Sequence, residues 1–143
     1  MEKLKAEEYL QSIRDMKSKI DALEEIRKDI KYNTGLIRER SNDEVVRVLP
    51  QRDAQEKQII KNIEKLERLD NKIVGECIKW TQKRNAALEQ IMQLKDGQCR
   101  RFLIDFYVNG KSMIEIAYEY HYETTESIYN LKRRAVKYFS KYY

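Results

Sequence analysis

The stretch that decides the fold is residues 98–143, which read QCRRFLIDFYVNGKSMIEIAYEYHYETTESIYNLKRRAVKYFSKYY. Apolar residues recur at helical spacing from Cys99 to Phe106, until Gly110 interrupts the pattern. Ser112, with a glutamate three residues later, is typical of a helix N-cap with a capping box. The pattern therefore predicts a first short helix, a turn, and a second helix that begins at Ser112.

A third helix is predicted after Thr124, whose hydroxyl can cap it, with Glu126 favourably placed in the first turn. The polar residues around His121 form the turn between helices two and three. On helix three, the face expected to be buried carries Ile128, Leu131, Ala135, Tyr138 or Phe139, and Tyr142. The opposite face carries Thr125, Glu126, Tyr129, Asn130, Arg133 and Lys137.

Two short helices joined by a tight turn, the second longer and basic, are typical of a helix-turn-helix, whose second helix lies in the DNA major groove. Residues 127–143 contain five basic side chains and no acidic one, so this helix can neutralise phosphates. The candidates for base reading are Thr125, Glu126, Tyr129, Asn130 and Arg133, and those for phosphate binding are Lys132, Arg134, Lys137 and Lys141. The alternative is a basic surface helix that only keeps the protein soluble.

These residues resemble the helix-turn-helix of region 4 of bacterial sigma factors, and more closely its relatives in small phage transcription regulators of the ArpU and RinA kind. The similarity lies in the Tyr107–Gly110 loop, the Glu-Ile-Ala sequence at 115–117, Ile128, and the Arg-Ala pair that begins at Arg134. Where that family often has glycine in the turn, this chain has His121. The resemblance implies a phage-encoded regulator that binds promoter or operator DNA and contacts host RNA polymerase.

Composition agrees with a helical protein that binds an acidic partner. Of 143 residues, 37% are charged, and there are one proline and four glycines, as in long charged helices. Residues 1–97 carry 21 basic and 19 acidic side chains, a net of +2, and residues 98–143 carry 8 and 5, a net of +3. The smaller part is the more basic per residue, which suits nucleic acid or another acidic surface.

Several classes of protein are disfavoured. Cys77 and Cys99 are too far apart for a zinc motif and are predicted to be buried, reduced thiols, as in a cytoplasmic protein. No apolar run approaches the roughly 20 residues that span a membrane. His121 is the only histidine, and there is no glycine-rich phosphate loop, metal-ligand cluster or nucleophile motif. We therefore expect no enzyme activity, no cofactor and no metal.

The first hundred residues predict two long helices. In residues 1–31 a heptad seam, interrupted by Arg27, is formed by Ala6, Tyr9, Ile13, Met16, Ile20, Leu23 and Ile30. In residues 53–94 a second apolar stripe is formed by Ile59, Ile63, Leu66, Leu69, Ile73, Cys77, Trp80, Ala87, Ile91 and Leu94. Lys95, Asp96 and Gly97 are predicted as the C-cap of the second helix, and residues 32–52 as a connector whose valines suit either a helical turn or a strand.

The predicted fold is all-α. Residues 1–97 form a long antiparallel helical hairpin, or coiled coil, in which Ile13, Met16, Ile20 and Leu23 are buried against Ile59, Leu66, Ile73 and Trp80. Residues 98–143 form a three-helix helix-turn-helix domain that binds double-stranded DNA, and the protein is expected to be a homodimer. The alternative function is a coiled-coil interaction module, an adaptor or an inhibitor of a nucleic-acid enzyme, whose tyrosine-rich C-terminal part binds protein.

Overall fold

A computed structural model describes residues 2–33 and 52–143, and in this part of the chain the fold is all-α, as predicted. In these two ranges the chain forms five α-helices, one π-helical turn and no strand. The elements are α1 (Glu2–Asn33), α2 (Arg52–Ile91), α3 (Gly97–Leu103), the π-helical turn (Ile104–Val108), α4 (Met113–Glu119) and α5 (Thr125–Ser140). Most of the predicted connector, with its valines, lies outside the described residues. None of the helices described is both long enough and apolar enough to cross a membrane.

The segment between α2 and α3 corrects one prediction. We expected Lys95, Asp96 and Gly97 to cap the end of α2, but α2 ends at Ile91 and Asp96 is the N-cap of α3. A carboxylate oxygen of Asp96 accepts hydrogen bonds from the backbone N–H groups of Gln98, at 2.9 Å, and Cys99, at 3.2 Å. A carboxylate is more stable at the positive N-terminal end of a helix than at its C-terminal end, which explains the outcome.

The chain divides into two compact units. The first, which we call the head, comprises Met1–Lys19 and Cys77–Tyr143, and the second, which we call the two-helix unit, comprises Ile20–Glu76. The long helices α1 and α2 each contribute residues to both units. The head therefore contains part of α1 and part of α2 in addition to residues 98–143.

The core of the head is apolar and rich in aromatic rings. Its buried residues include Phe102, Leu103, Phe106, Tyr107, Ile116, Ile128, Leu131, Ala135, Val136 and Phe139 from the C-terminal elements. Ala6 and Leu10 of α1 are fully buried in the same cluster. The Tyr9 ring stacks on Phe139, with ring centroids 6.3 Å apart. The first turns of α1 are therefore an integral part of the head.

Arg14 of α1 is a further link within the head. Its guanidinium donates hydrogen bonds to the backbone carbonyls of Phe106 and of Lys111, the latter at 3.0 Å. It also lies 4.0 Å from the centroid of the Phe106 ring. A π-helical turn shifts the backbone hydrogen bonds by one residue, as in the bond from Asn109 N–H to the Ile104 carbonyl. Arg14 bonds two carbonyls in and just after this turn.

The two-helix unit has a much smaller core. Its buried apolar residues in the described ranges are Ile20 and Leu66, and the polar Asn62 is buried as well. Leu23 and Ile73 are half-buried. The prediction that Ile59 is buried is wrong, since 45% of its surface is exposed. Ile59 lies three residues before Asn62 and seven before Leu66, so it is on the same side of α2. The described residues 53–61 are all exposed, so burial on α2 begins only at Asn62.

Candidate nucleic-acid interface

Helix α5 begins where the sequence predicts. The Thr124 hydroxyl accepts a hydrogen bond from the backbone N–H of Ser127 at 3.3 Å, and Glu126 lies in the first turn. In α4 the Ser112 hydroxyl accepts from the backbone N–H of Glu115 at 3.1 Å. Both predicted N-caps are confirmed. Because each cap is a hydrogen bond between residues three apart, the sequence is sufficient to locate it.

The turn between α4 and α5 has a specific backbone geometry. His121 lies in the left-handed region, with φ of 60°. The Tyr122 N–H donates to the Ala117 carbonyl at 2.9 Å and the His121 N–H to the Tyr118 carbonyl at 3.2 Å. These two bonds form a Schellman motif, in which glycine is the usual residue at the left-handed position. His121 thus adopts a backbone conformation that glycine usually occupies at the end of a helix.

A cluster around a buried carboxylate connects the elements that precede α5. Asp105 in the π-helical turn accepts a hydrogen bond from the Tyr120 hydroxyl at 2.6 Å. Its oxygens lie 3.7 Å from Arg101 Nε and 3.9 Å from Lys111 Nζ. Burial, followed by the bond to Asp105, raises the pKa of Tyr120, so its hydroxyl stays protonated and can donate. The cluster fastens the end of α4 to the π-helical turn and so positions the turn before α5.

The residues proposed to read bases share one exposed surface of α5. Thr125, Glu126, Tyr129, Asn130 and Arg133 are all exposed. Ile128, Leu131 and Ala135 on the opposite side are buried in the head, as predicted. Arg133 Nη1 donates a hydrogen bond to Asn130 Oδ1 at 2.8 Å. Arginine and asparagine are the side chains that most often form paired hydrogen bonds with guanine and adenine edges, so this pair is suited to base recognition.

The four cations proposed to bind phosphates differ in their surroundings. Lys137 and Lys141 are exposed, and the Lys141 ammonium lies 5.5 Å from the Tyr138 ring centroid. Lys132 is half-buried, with its ammonium 5.2 Å from the Phe106 ring centroid. Lysine and aromatic rings attract each other in this geometry. Lys132 is therefore held partly against the core, whereas Lys137 and Lys141 are presented to solvent.

Arg134 is engaged by the start of α3. Its Nη2 donates to Gln98 Oε1 at 3.1 Å, and its Nε lies 3.8 Å from a carboxylate oxygen of Asp96. The hydrogen bond from the Cys99 backbone N–H lowers the pKa of Asp96, so this carboxylate is ionised beside Arg134. A phosphate that approaches Arg134 has to compete with Asp96. Of the five cations in residues 127–143, four are exposed and Lys132 is half-buried. Lys132 and the exposed Arg134 contact neighbouring elements.

One residue near the site comes from the far end of the sequence. Glu7 of α1 lines a surface depression together with Tyr129, Lys132, Arg133 and Val136 of α5. Glu7 is one of many charged residues in a predicted surface helix, and no local pattern distinguishes it. In the sequence this part of α1 belongs to the heptad seam through Ala6, Tyr9 and Ile13, which predicts packing against the second long helix and does not indicate contact with α5.

Comparisons with known proteins found no relative of this chain. No protein-family model matches the chain, and neither a curated protein nor a solved structure does.

Proposed function

We propose that this protein is a sequence-specific DNA-binding regulator of transcription that reads promoter or operator DNA with α5. The observation that carries the proposal is the exposed pair of Asn130 and Arg133, which are hydrogen-bonded to each other on the capped helix α5. The pair lies in a stretch, residues 127–143, that has five cations and no acidic side chain. In this proposal α4, the turn at His121 and α5 form a helix-turn-helix of the kind found in sigma factor region 4. The long helices form an antiparallel hairpin.

Each exposed residue has a role in this proposal. Asn130 and Arg133 bond base edges in the major groove, with Thr125, Glu126 and Tyr129 beside them. Lys137 and Lys141 bind phosphates, because both are exposed and lie C-terminal to the reading residues. Lys132 and Arg134 make weaker phosphate contacts, since each has partners within the head.

The proposal is tested by selecting bound duplexes from a random DNA pool and then comparing variants on the selected site. Asn130→Ala or Arg133→Ala should weaken binding by about 1–3 kcal/mol and relax the preference at one or two base pairs. Lys137→Ala should weaken binding to all duplexes alike and lower the salt slope by about one. Lys79→Ala, which removes an exposed lysine from α2, is the matched control and should leave both quantities unchanged. Unchanged affinity in an Asn130→Ala/Arg133→Ala double variant would place any DNA-reading surface elsewhere.

Two partners besides DNA belong to the proposal. Contact with host RNA polymerase in the bacterial cytoplasm is proposed from the sigma-like resemblance alone. A homodimer is proposed because operators are commonly read as two half-sites about one helical turn apart. The exposed aliphatic residues Ile60, Ile63 and Val74 on α2 offer an apolar surface for a second copy. Sedimentation that shows only a monomer at micromolar concentration would exclude the dimer.

A second candidate function is a protein-interaction module without sequence-specific DNA binding. One observation favours it: Ile114 and Tyr118, one turn apart on α4, are 76% and 84% exposed. Large apolar side chains on an exposed helix face are suited to binding protein. A DNA shift assay separates the two functions, because salt-dependent binding supports the first and the absence of binding at low salt supports the second.

A further inference from the structure

The N-terminal turns of α1 lie against α5 and cannot move away without opening the core. Ala6 and Leu10 are fully buried, and Tyr9 stacks on Phe139. The Tyr9 hydroxyl donates to the Lys83 carbonyl of α2 at 3.4 Å. These contacts hold the backbone of α1 in place on both sides of residue 7.

Glu7 is thereby held at the edge of the exposed surface of α5. It shares a depression of about 210 Å³ with Tyr129, Lys132, Arg133 and Val136. The Glu7 carboxylate also affects the buried Tyr107: burial is the main cause that raises the pKa of Tyr107, and the negative charge of Glu7 raises it further. Glu7 therefore lines the same depression as two cations, Lys132 and the proposed base-reading Arg133.

A carboxylate in this position affects two kinds of DNA contact differently. A phosphate near Arg133 is repelled by Glu7 within a Debye length, which is about 10 Å at 0.1 M salt. A neutral base edge that accepts hydrogen bonds from Arg133 meets no such repulsion. Discrimination between partners often depends on a repulsive element of this kind.

We propose that Glu7 is a specificity-determining residue of the DNA interface: it discourages Arg133 from binding phosphates and so reserves this side chain for base edges. The inference rests on the proposed function. It adds a residue from α1, in the first turns of the chain, to an interface that otherwise consists of α5.

The test compares Glu7→Gln with Glu8→Gln in the full-length protein. The two variants remove the same charge from adjacent positions, and Glu8 is exposed and does not line the depression. Dissociation constants are measured at 0.1 M salt for the selected duplex and for a scrambled duplex of the same length. Glu7→Gln should increase affinity for the scrambled duplex about 3- to 10-fold and for the selected duplex less than about 3-fold. Glu8→Gln should change both by less than about 2-fold.

Arg133→Gln provides a second test, which remains valid even if the Glu7→Gln variant does not fold. It should lower affinity for the selected duplex by at least about 10-fold and for the scrambled duplex by less than about 2-fold, because Glu7 already prevents Arg133 from aiding nonspecific binding. In the Arg133→Gln background, Glu7→Gln should lose most of its effect on the scrambled duplex.

Two results would overturn the inference. One is an equal effect of Glu7→Gln and Glu8→Gln on the scrambled duplex, and the other is a loss of affinity for both duplexes in Arg133→Gln by the same factor. In either case wild-type binding to the selected duplex is intact and the proposed function stands. If the wild-type protein binds neither duplex at low salt, the proposed function and the inference fall together.

Discussion

The head and the two-helix unit are built from similar helices but differ in what specifies their packing. The head buries a cluster of sixteen apolar side chains contributed by all five helices and the π-helical turn. In the described part of the two-helix unit only Ile20 and Leu66 are apolar residues buried to the same degree. Heptad patterning is enough to make two charged helices, but aromatic residues, caps and a turn of defined geometry are needed to pack several helices in one arrangement.

The head and the two-helix unit also differ in net charge. Residues 20–76 of the two-helix unit carry 13 acidic and 12 basic side chains, a net of −1. The stretch 127–143 in the head has five basic side chains and no acidic one. A polyanion is therefore attracted to the head, and the mixed surface of the two-helix unit is better suited to keeping the helices in solution or to contact with another helix.

The largest expected effect comes from one substitution made in both regions of α1. Leu10 is fully buried in the head, whereas Leu23 in the two-helix unit is half-buried. Leu10→Ala should lower the free energy of unfolding by about 2–5 kcal/mol, because it removes buried methyl groups and leaves a cavity. Leu23→Ala should cost only about 1 kcal/mol, since its surroundings are already partly hydrated. Urea denaturation of both variants measures the difference, and equal losses would show that the two regions are packed alike.

His121→Gly tests the turn of the head. An L-residue in the left-handed conformation costs about 1–2 kcal/mol, and histidine tolerates it better than most, so replacement by glycine should stabilise the protein by about 1 kcal/mol. The measurement is the melting temperature, with His121→Ala as the control that keeps the strain and should not stabilise. A fall in melting temperature for His121→Gly would mean that the imidazole contributes more than the backbone strain costs.

In the two-helix unit, replacement of a glycine by alanine is expected to stabilise the protein. Gly75 lies within α2, and apart from its chain neighbours and the adjacent backbone of its own helix, no described atom lies within 4 Å of the position that a Cβ would occupy there. Gly75→Ala should therefore stabilise the protein by about 0.5–1 kcal/mol through reduced freedom of the unfolded chain. Thermal unfolding of the wild-type protein and the variant at low protein concentration measures this stabilisation. Stabilisation accompanied by weaker self-association would show that a second copy approaches α2 at this glycine.

The smallest expected effect concerns the ion pair between Arg27 and Asp70 in the two-helix unit. Both side chains are partly exposed, at 35% and 45%. Asp70→Asn should cost about 0.2–1 kcal/mol, and the loss should shrink as salt is added, because solvent screens exposed pairs. A double-mutant cycle with Arg27→Met isolates the pair. A coupling well above 1 kcal/mol would show that this unit depends on its ion pair more than on its thin apolar core.

Much of the local structure in the head could be predicted from residues near one another in sequence. The caps at Ser112 and Thr124, the break at Gly110 and the buried stripe through Ile128 and Leu131 were all expected and are all present. Each depends on hydrogen bonds or side-chain spacings within a few residues, and such interactions are the same in most folds. The exposure of Thr125, Asn130 and Arg133 follows from the same periodicity.

The predictions that failed concern choices between nearly equivalent local arrangements. Asp96 can follow α2 or cap α3, and the hydrogen bonds available at the start of α3 decide between them. Ile59 and Leu66 are seven positions apart on the same side of α2, yet Leu66 is buried and Ile59 is exposed, and the described residues 53–61 are all exposed. Spacing indicates which side of a helix can face a partner, but not how far along the helix the partner extends.

The sequence by itself determined that the chain is helical, where α4 and α5 begin, and that α5 is basic with an apolar side. The tertiary structure alone decided that the first turns of α1 belong to the head, that Lys132 and Arg134 are engaged by neighbouring elements, and that Glu7 lines a depression with Arg133. Helix formation depends on interactions between residues three or four positions apart, which the sequence displays directly. Contact between residues more than a hundred positions apart depends on how whole helices share a core, and no local pattern encodes it.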